Sequence, residues 1–163
     1  MITDTVMPPK DATFGRAPTY NSDVELSLAI SDDKKAFTAA FSGLEINLDP
    51  KSSAPVVSRT FTFVLPLSGT TPDTEIPFFV SGIIASESGA NGHLLFSVND
   101  QTTVIDFPGK REESFVQQLK FKAGSASEVR LTVFLLADRD SKSDASVKLI
   151  VDTIDTDIAK HGS

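Results

Sequence analysis

From Val24 onward, apolar residues fall at every second position in run after run, a spacing that suits half-buried strands and does not suit a helix. Val24, Leu26, Leu28 and Ile30 alternate with Glu25, Ser27 and Ala29. After the polar turn Ser31-Asp32-Asp33-Lys34-Lys35 the pattern resumes on Phe37, Ala39 and Phe41, which predicts an antiparallel hairpin. At Ser42-Gly43 the phase changes, and Leu44, Ile46 and Leu48 continue on even numbers. A glycine at a phase change predicts a bulge or a crossing between sheets.

The same reading carries through the chain. Residues 60–67 form a strongly alternating strand, and the apolar run 77–85, broken by Gly82, is too short for a core helix and reads as a buried strand. Loops are predicted at 68–75 and 86–92, and strands at 93–98 and 102–107 flank the turn Asn99-Asp100-Gln101 as a second hairpin. Residues 112–122 fit both periods: Phe115, Leu119 and Lys122 suit a helix, while Phe115, Gln117, Leu119 and Phe121 suit a strand, which is favoured. Residues 129–137 carry Val129, Leu131, Val133 and Leu135 on one face and Phe134 and Leu136 on the other, which predicts a central strand covered on both sides. A polar loop at 138–144 then leads to a final strand within 145–158.

Eight or nine strands without βαβ alternation predict an all-β fold, an antiparallel sandwich of jelly-roll type, with a closed barrel as second choice. At 163 residues the chain needs one core. That core is expected in residues 24–158, followed by a tail at 159–163. Residues 1–23, interrupted by Pro8, Pro9, Gly15 and Pro18, read as an extended or flexible arm.

Twelve Phe against one Tyr and no Trp favours burial over recognition, because Phe has no polar tip to present at a wet interface. A net charge of −7 opposes phosphate backbones, and the basic pairs Lys34-Lys35 and Lys110-Arg111 read as solvated turns, so nucleic acid is not an expected partner. No apolar stretch approaches membrane-spanning length, so no membrane partner is expected either. The absence of cysteine removes disulfides and thiolate zinc sites and fits a reducing compartment. With no signal-like start, the default is cytoplasmic; secretion is the alternative if a leader was removed.

Candidate chemistry is sparse. His161 lies in the tail, and His93, at the start of a strand, lacks the Gly-x-Ser-x-Gly elbow a serine triad would want; it reads as structural or exposed. Asp138, Asp140 and Asp144 fall in one expected loop and are the candidate ligands for calcium, the one cofactor the sequence suggests. An EF-hand is excluded, since its Gly and Glu positions hold Ser143 and Leu149. The competing reading is a set of solubilising turn residues interleaved with Arg139 and Lys142. Along the last strand, regular alternation places Asp155 and Asp157 on one face and Asp152 on the other.

Three stretches resemble a family of small, secreted, β-rich proteins of unknown function: Ile30-Ser31-Asp32-Asp33 leading into Ala36-Phe37-Thr38 and Phe41, then Ser58 ahead of a strand, then Val151-Asp152-Thr153-Ile154-Asp155. The resemblance spans about residues 24–158 and implies a sandwich-like fold, with no established activity or functional residues.

The leading expectation is a non-enzymatic binding or assembly module that works through protein contacts, including self-association, with Phe14 and Tyr20 of the arm filling pockets on a partner. The rival is a sandwich that binds or hydrolyses carbohydrate with loop carboxylates. It lacks Trp, and its single Tyr lies in the arm.

Overall fold

The computed structural model describes residues 12–15, 19–20 and 24–158, with the backbone alone at 19–20. These form two short strands, β1 (Thr13–Phe14) and β2 (Thr19–Tyr20), and ten further ones. They are β3 (Glu25–Ile30), β4 (Ala36–Ser42), β5 (Glu45–Leu48), β6 (Val56–Ser68), β7 (Glu75–Ser86) and β8 (Ala90–Val98). β9 (Gln101–Pro108), β10 (Arg111–Lys122), β11 (Glu128–Arg139) and β12 (Val147–Asp157) complete the set. No α-helix occurs among the described residues.

The strands build an antiparallel sandwich. One sheet runs β1-β6-β11-β8-β9, with β2 also on β6; the other runs β10-β7-β12-β4-β3, with β5 also on β12. They are called here the β11 sheet and the β12 sheet. Among the described residues only β3–β4 and β8–β9 are hairpins between consecutive strands; from β5 to β8 and from β9 to β12 each link carries the chain across to the opposite sheet. Both hairpins lie where the alternation places them, turning through Lys34 and Asn99 at positive φ. The ambiguous segment is strand throughout, with β10 pairing β7 from Arg111↔Ser86 to Lys122↔Glu75.

Twelve strands exceed the eight or nine expected because several are fragments. The phase change at Gly43 (φ +91°) splits one predicted stretch into β4 and β5, and both fragments pair with the same strand. β12 serves β5 through Val147–Ile150 and β4 through Thr153–Asp157, with an irregularity in its β7 register between Val151 and Thr153. The extra residue there is Asp152. Its insertion flips the phase, so Val147, Leu149 and Val151 point inward before it and Ile154 and Thr156 after it. Asp152, Asp155 and Asp157 therefore share the outer side, contrary to the regular alternation expected from sequence.

The space between the sheets is filled by phenylalanine. Phe37 meets Phe14 at 4.9 Å, Phe63 at 6.2 Å and Phe78 at 6.1 Å between ring centroids, and Phe78 continues to Phe96 and Phe121. Edge-to-face contacts dominate, the arrangement the ring quadrupole favours. Gly82 is required in this packing: a Cβ there would fall on the Ile150 carbonyl oxygen and 2.7 Å from Phe115 Cζ. The inner hydroxyl of Thr156 donates to Pro77 O at 2.6 Å. No buried side-chain polar atom among the described residues lacks a partner. At one side of the sandwich the edges of β9 and β10 are stitched by Gln101, which accepts from Lys122 N and donates to Lys122 O, both at 2.9 Å.

Candidate functional site

The residues singled out from sequence scatter. Phe14 does not reach outward: it is 1% exposed, packed on Phe37, with its N–H donating to Lys34 O at 2.8 Å. An apolar side chain next to a deep core gains most by completing that core, so Phe14 belongs to its own domain. Tyr20 pairs through its backbone with Phe63. β1 and β2, both within the expected arm of residues 1–23, edge β6; residues 1–11, and His161 with the rest of the tail, lie outside the described residues.

The expected polar loop at 138–144 begins later than predicted, because β11 extends through Arg139. Asp138 therefore sits on a strand, where its carboxylate accepts from Asn91 Nδ2 at 2.9 Å and bonds His93 Nε2 at 2.8 Å. Asp140 and Asp144 lie in the turn beyond. Among the described residues no group of three or more acidic or histidine side chains is arranged to hold a metal ion. His93 is fixed on its other side by Asp106, Nδ1 to Oδ1 at 2.7 Å. Partial burial opposes its charge, but hydrogen bonds to Asp106 and Asp138, with their negative charges, prevail and raise its pKa above the ordinary 6.5. With both nitrogens occupied, this ring pins β9 and β11 to β8; it has no free nitrogen to act as a base.

The β11 strand is central, as predicted, but is not covered on both sides. Phe134 and Leu136 are half-exposed, in register with Leu95 and His93 of β8. The row continues to Val104 on β9, 56% exposed.

The outer face of the β12 sheet offers more. β7, read from sequence as simply buried, presents Phe79, Ser81, Ile83 and Ala85 to solvent while Phe78, Val80, Gly82 and Ile84 face the core. Phe79 lies in a row with Gln118 of β10, Asp155 of β12 and Thr38 of β4. Asp155 is held in place by two hydroxyls, Thr38 Oγ1 donating to Oδ1 at 2.6 Å and Thr153 Oγ1 to Oδ2 at 3.3 Å. Phe79, Thr38, Asp155 and Asp157 line an open depression of about 530 Å³. Moving along β7, Ser81, Thr153 and Ala40 form a row of small side chains, then Ile83, 44% exposed, and Ile150 form an apolar one.

At the far end of this face a groove of about 750 Å³ opens among Ala85, Glu87, Lys110, Glu112, Lys148 and Asp49. Glu87 Oε1 accepts both Ser146 N (2.8 Å) and Ser146 Oγ (2.9 Å), and these bonds hold its carboxyl below the ordinary carboxylate range. The sequence signal for this face was the odd-numbered set in residues 77–85, which mixes Ser81 and Ala85 with Phe79 and Ile83, unlike the uniformly apolar or glycine even set.

No family model matches this chain, and no curated protein matches it. Among solved structures, a family 61 carbohydrate-binding module in complex with β-1,4-galactotriose aligns over 83% of this chain and 88% of its own, at 13% identity and a TM-score of 0.38. A family 4 carbohydrate-binding module aligns over 95% and 92%, at 8% identity and a TM-score of 0.35. An arabinose-bound family 51 α-L-arabinofuranosidase matches 88% of this chain but only 24% of its own length, at 13% identity and 0.34.

Proposed function

We propose that this chain is a non-catalytic carbohydrate-binding module that takes its ligand on the open face of the β12 sheet. The observation that carries the reading is Phe79, an aromatic ring on the solvent side of β7 with the carboxylate of Asp155 fixed beside it in the same row. A sugar ring presents an apolar C–H face and a rim of hydroxyls. The first gains by covering an aromatic face, and the second gains by donating to an ionised acceptor that is already positioned. Pre-positioning matters because a carboxylate held by Thr38 and Thr153 loses little further freedom on binding. The rival reading, assembly through the N-terminal arm, has less support because Phe14 is spent in the core.

The test is affinity electrophoresis through gels containing galactan, xylan or mixed-linkage glucan. At least one polysaccharide should retard the wild-type chain, and Phe79→Ala should abolish the retardation while the protein stays folded by circular dichroism. If no polysaccharide retards the wild type, or if Phe79→Ala migrates as the wild type does, the reading fails.

A further inference from the structure

A sheet edge is a row of backbone N–H and C=O groups in want of partners, and this sandwich treats its edges unequally. β6 is edged by β1 and β2. β9 and β10 meet at one side, where Gln101 holds the backbone of Lys122. β10 also carries Arg111, Glu112, Glu113, Lys120 and Lys122, charges that discourage a further strand. β3, at the end of the β12 sheet, has none of these devices. It holds no proline and no lysine, and Glu25 is its single charge.

The hairpin fixes which groups β3 leaves open. Ser31 N donates to Ala36 O at 2.9 Å, so the ladder bonds to β4 fall at Ala29–Thr38, Ser27–Ala40 and Glu25–Ser42. The N–H and C=O of Leu26, Leu28 and Ile30 therefore point away from β4, with no backbone partner among the described residues. The side chains of the same three residues pack on the core but stay only half-buried, whereas Phe37 and Ala39 beside them are fully covered. Hydrogen bonding and burial are incomplete along the same line.

We propose that β3 pairs antiparallel with β3 of a second copy of this chain, about a two-fold axis at Leu28. Centred there, Leu28 faces the partner's Leu28, Leu26 faces the partner's Ile30, and every outward N–H and C=O of the three residues gains a bond. On the solvent side Ser27 meets the partner's Ala29 and Glu25 falls opposite the partner's Ser31, so no like charges face each other. Moving the axis by one residue would set Leu26 or Ile30 against a residue outside the strand. This self-complementarity selects a second copy over an unrelated strand. Six residues a side make less than a standard interface, so the dimer forms with rising concentration.

The experiment is sedimentation velocity on the full chain from about 1 μM to about 1 mM, the range in which a small interface associates. A shift from monomer to dimer is expected. Ser27→Lys/Ala29→Lys should abolish it, because the pairing sets lysines directly opposite lysines. Ser27→Lys/Ala29→Glu should restore it, since each lysine then faces a glutamate. Both positions are exposed, and circular dichroism checks that each variant is folded. Register is read separately by cross-linking, which a chain without cysteine permits. Ser27 and the partner's Ala29 form a non-hydrogen-bonded pair with Cα atoms about 4.5 Å apart, within disulfide reach. A mixture of Ser27→Cys and Ala29→Cys chains should form disulfide dimers faster than either variant alone. A monomer at every concentration overturns the proposal, and slow hydrogen exchange at Leu26, Leu28 and Ile30 in that monomer would assign the edge to another segment of the same chain. A dimer indifferent to the lysines, or cross-linking equally fast in all three samples, overturns it too.

Discussion

The two outer faces of the sandwich carry similar residue types in opposite states. On the β11 sheet the polar groups are joined to one another: Asp106, His93, Asp138 and Asn91 form one connected line across three strands. On the β12 sheet Asp155 is anchored by small hydroxyls, and Lys148, like Lys110 in the turn before β10, has no contact partner for its ammonium among the described residues. Polar groups that satisfy each other hold strands in register, whereas those left unsatisfied are available to a ligand. A residue's type therefore says less about its role than whether its hydrogen-bonding capacity is already taken.

Neighbouring phenylalanines give the sharpest way to break this comparison. Phe78 is buried at the centre of the ring network and Phe79 faces out, one residue away. Phe78→Ala should cost about 3–5 kcal/mol in urea denaturation and weaken both faces equally. Phe79→Ala should cost under about 1 kcal/mol yet remove glycan binding, the usual scale for a change at a surface site. Equal stability losses would contradict the assigned faces.

Asp138→Asn probes the joined face. Weakening one side of the His93 bridge should cost about 1 kcal/mol, with glycan binding unchanged. The bridge also has a pH signature. Because the folded pKa of His93 lies above its unfolded value near 6.5, its contribution is complete below about 6.5 and is lost as pH rises through the raised folded value. The melting temperature should therefore fall as pH rises from 6 through that value, and His93→Gln should flatten this component. A wild-type profile identical to that of His93→Gln would remove the bridge as a source of stability. The smallest effect is expected from calcium. With Asp138 committed to His93 and Asn91, millimolar calcium should leave the melting temperature unchanged; an increase abolished by Asp140→Asn would restore the site predicted from sequence.

Much of the fold is legible in period-two alternation, because one face of every strand has to be apolar. Both hairpins and the 112–122 strand follow from it. What alternation cannot report is what lies opposite. His93 meets partners 13 and 45 residues away, and the two sides of β7 differ only by Ser81 and Ala85 among apolar neighbours. Phe14 was misplaced for a related reason: its flanking prolines and glycine describe an extended backbone, and an extended backbone edges its own sheet as readily as another chain's. The phase flip at Asp152 was equally hidden, since a single inserted residue leaves the flanking patterns intact on either side.

β12 also sets the order in which the molecule can be assembled. It is the last strand among the described residues and the middle one of its sheet, between β7 and β4. Before it arrives, that sheet is two separate pairs, β10–β7 and β3–β4, with β5 attached to neither. The Thr38–Asp155 bond joins residues 117 positions apart, so closing the sheet carries a large loop entropy before any contact repays it. Until β12 docks, the strands it joins stay open, so folding of this sheet should be slow and concentrated in the step that adds β12.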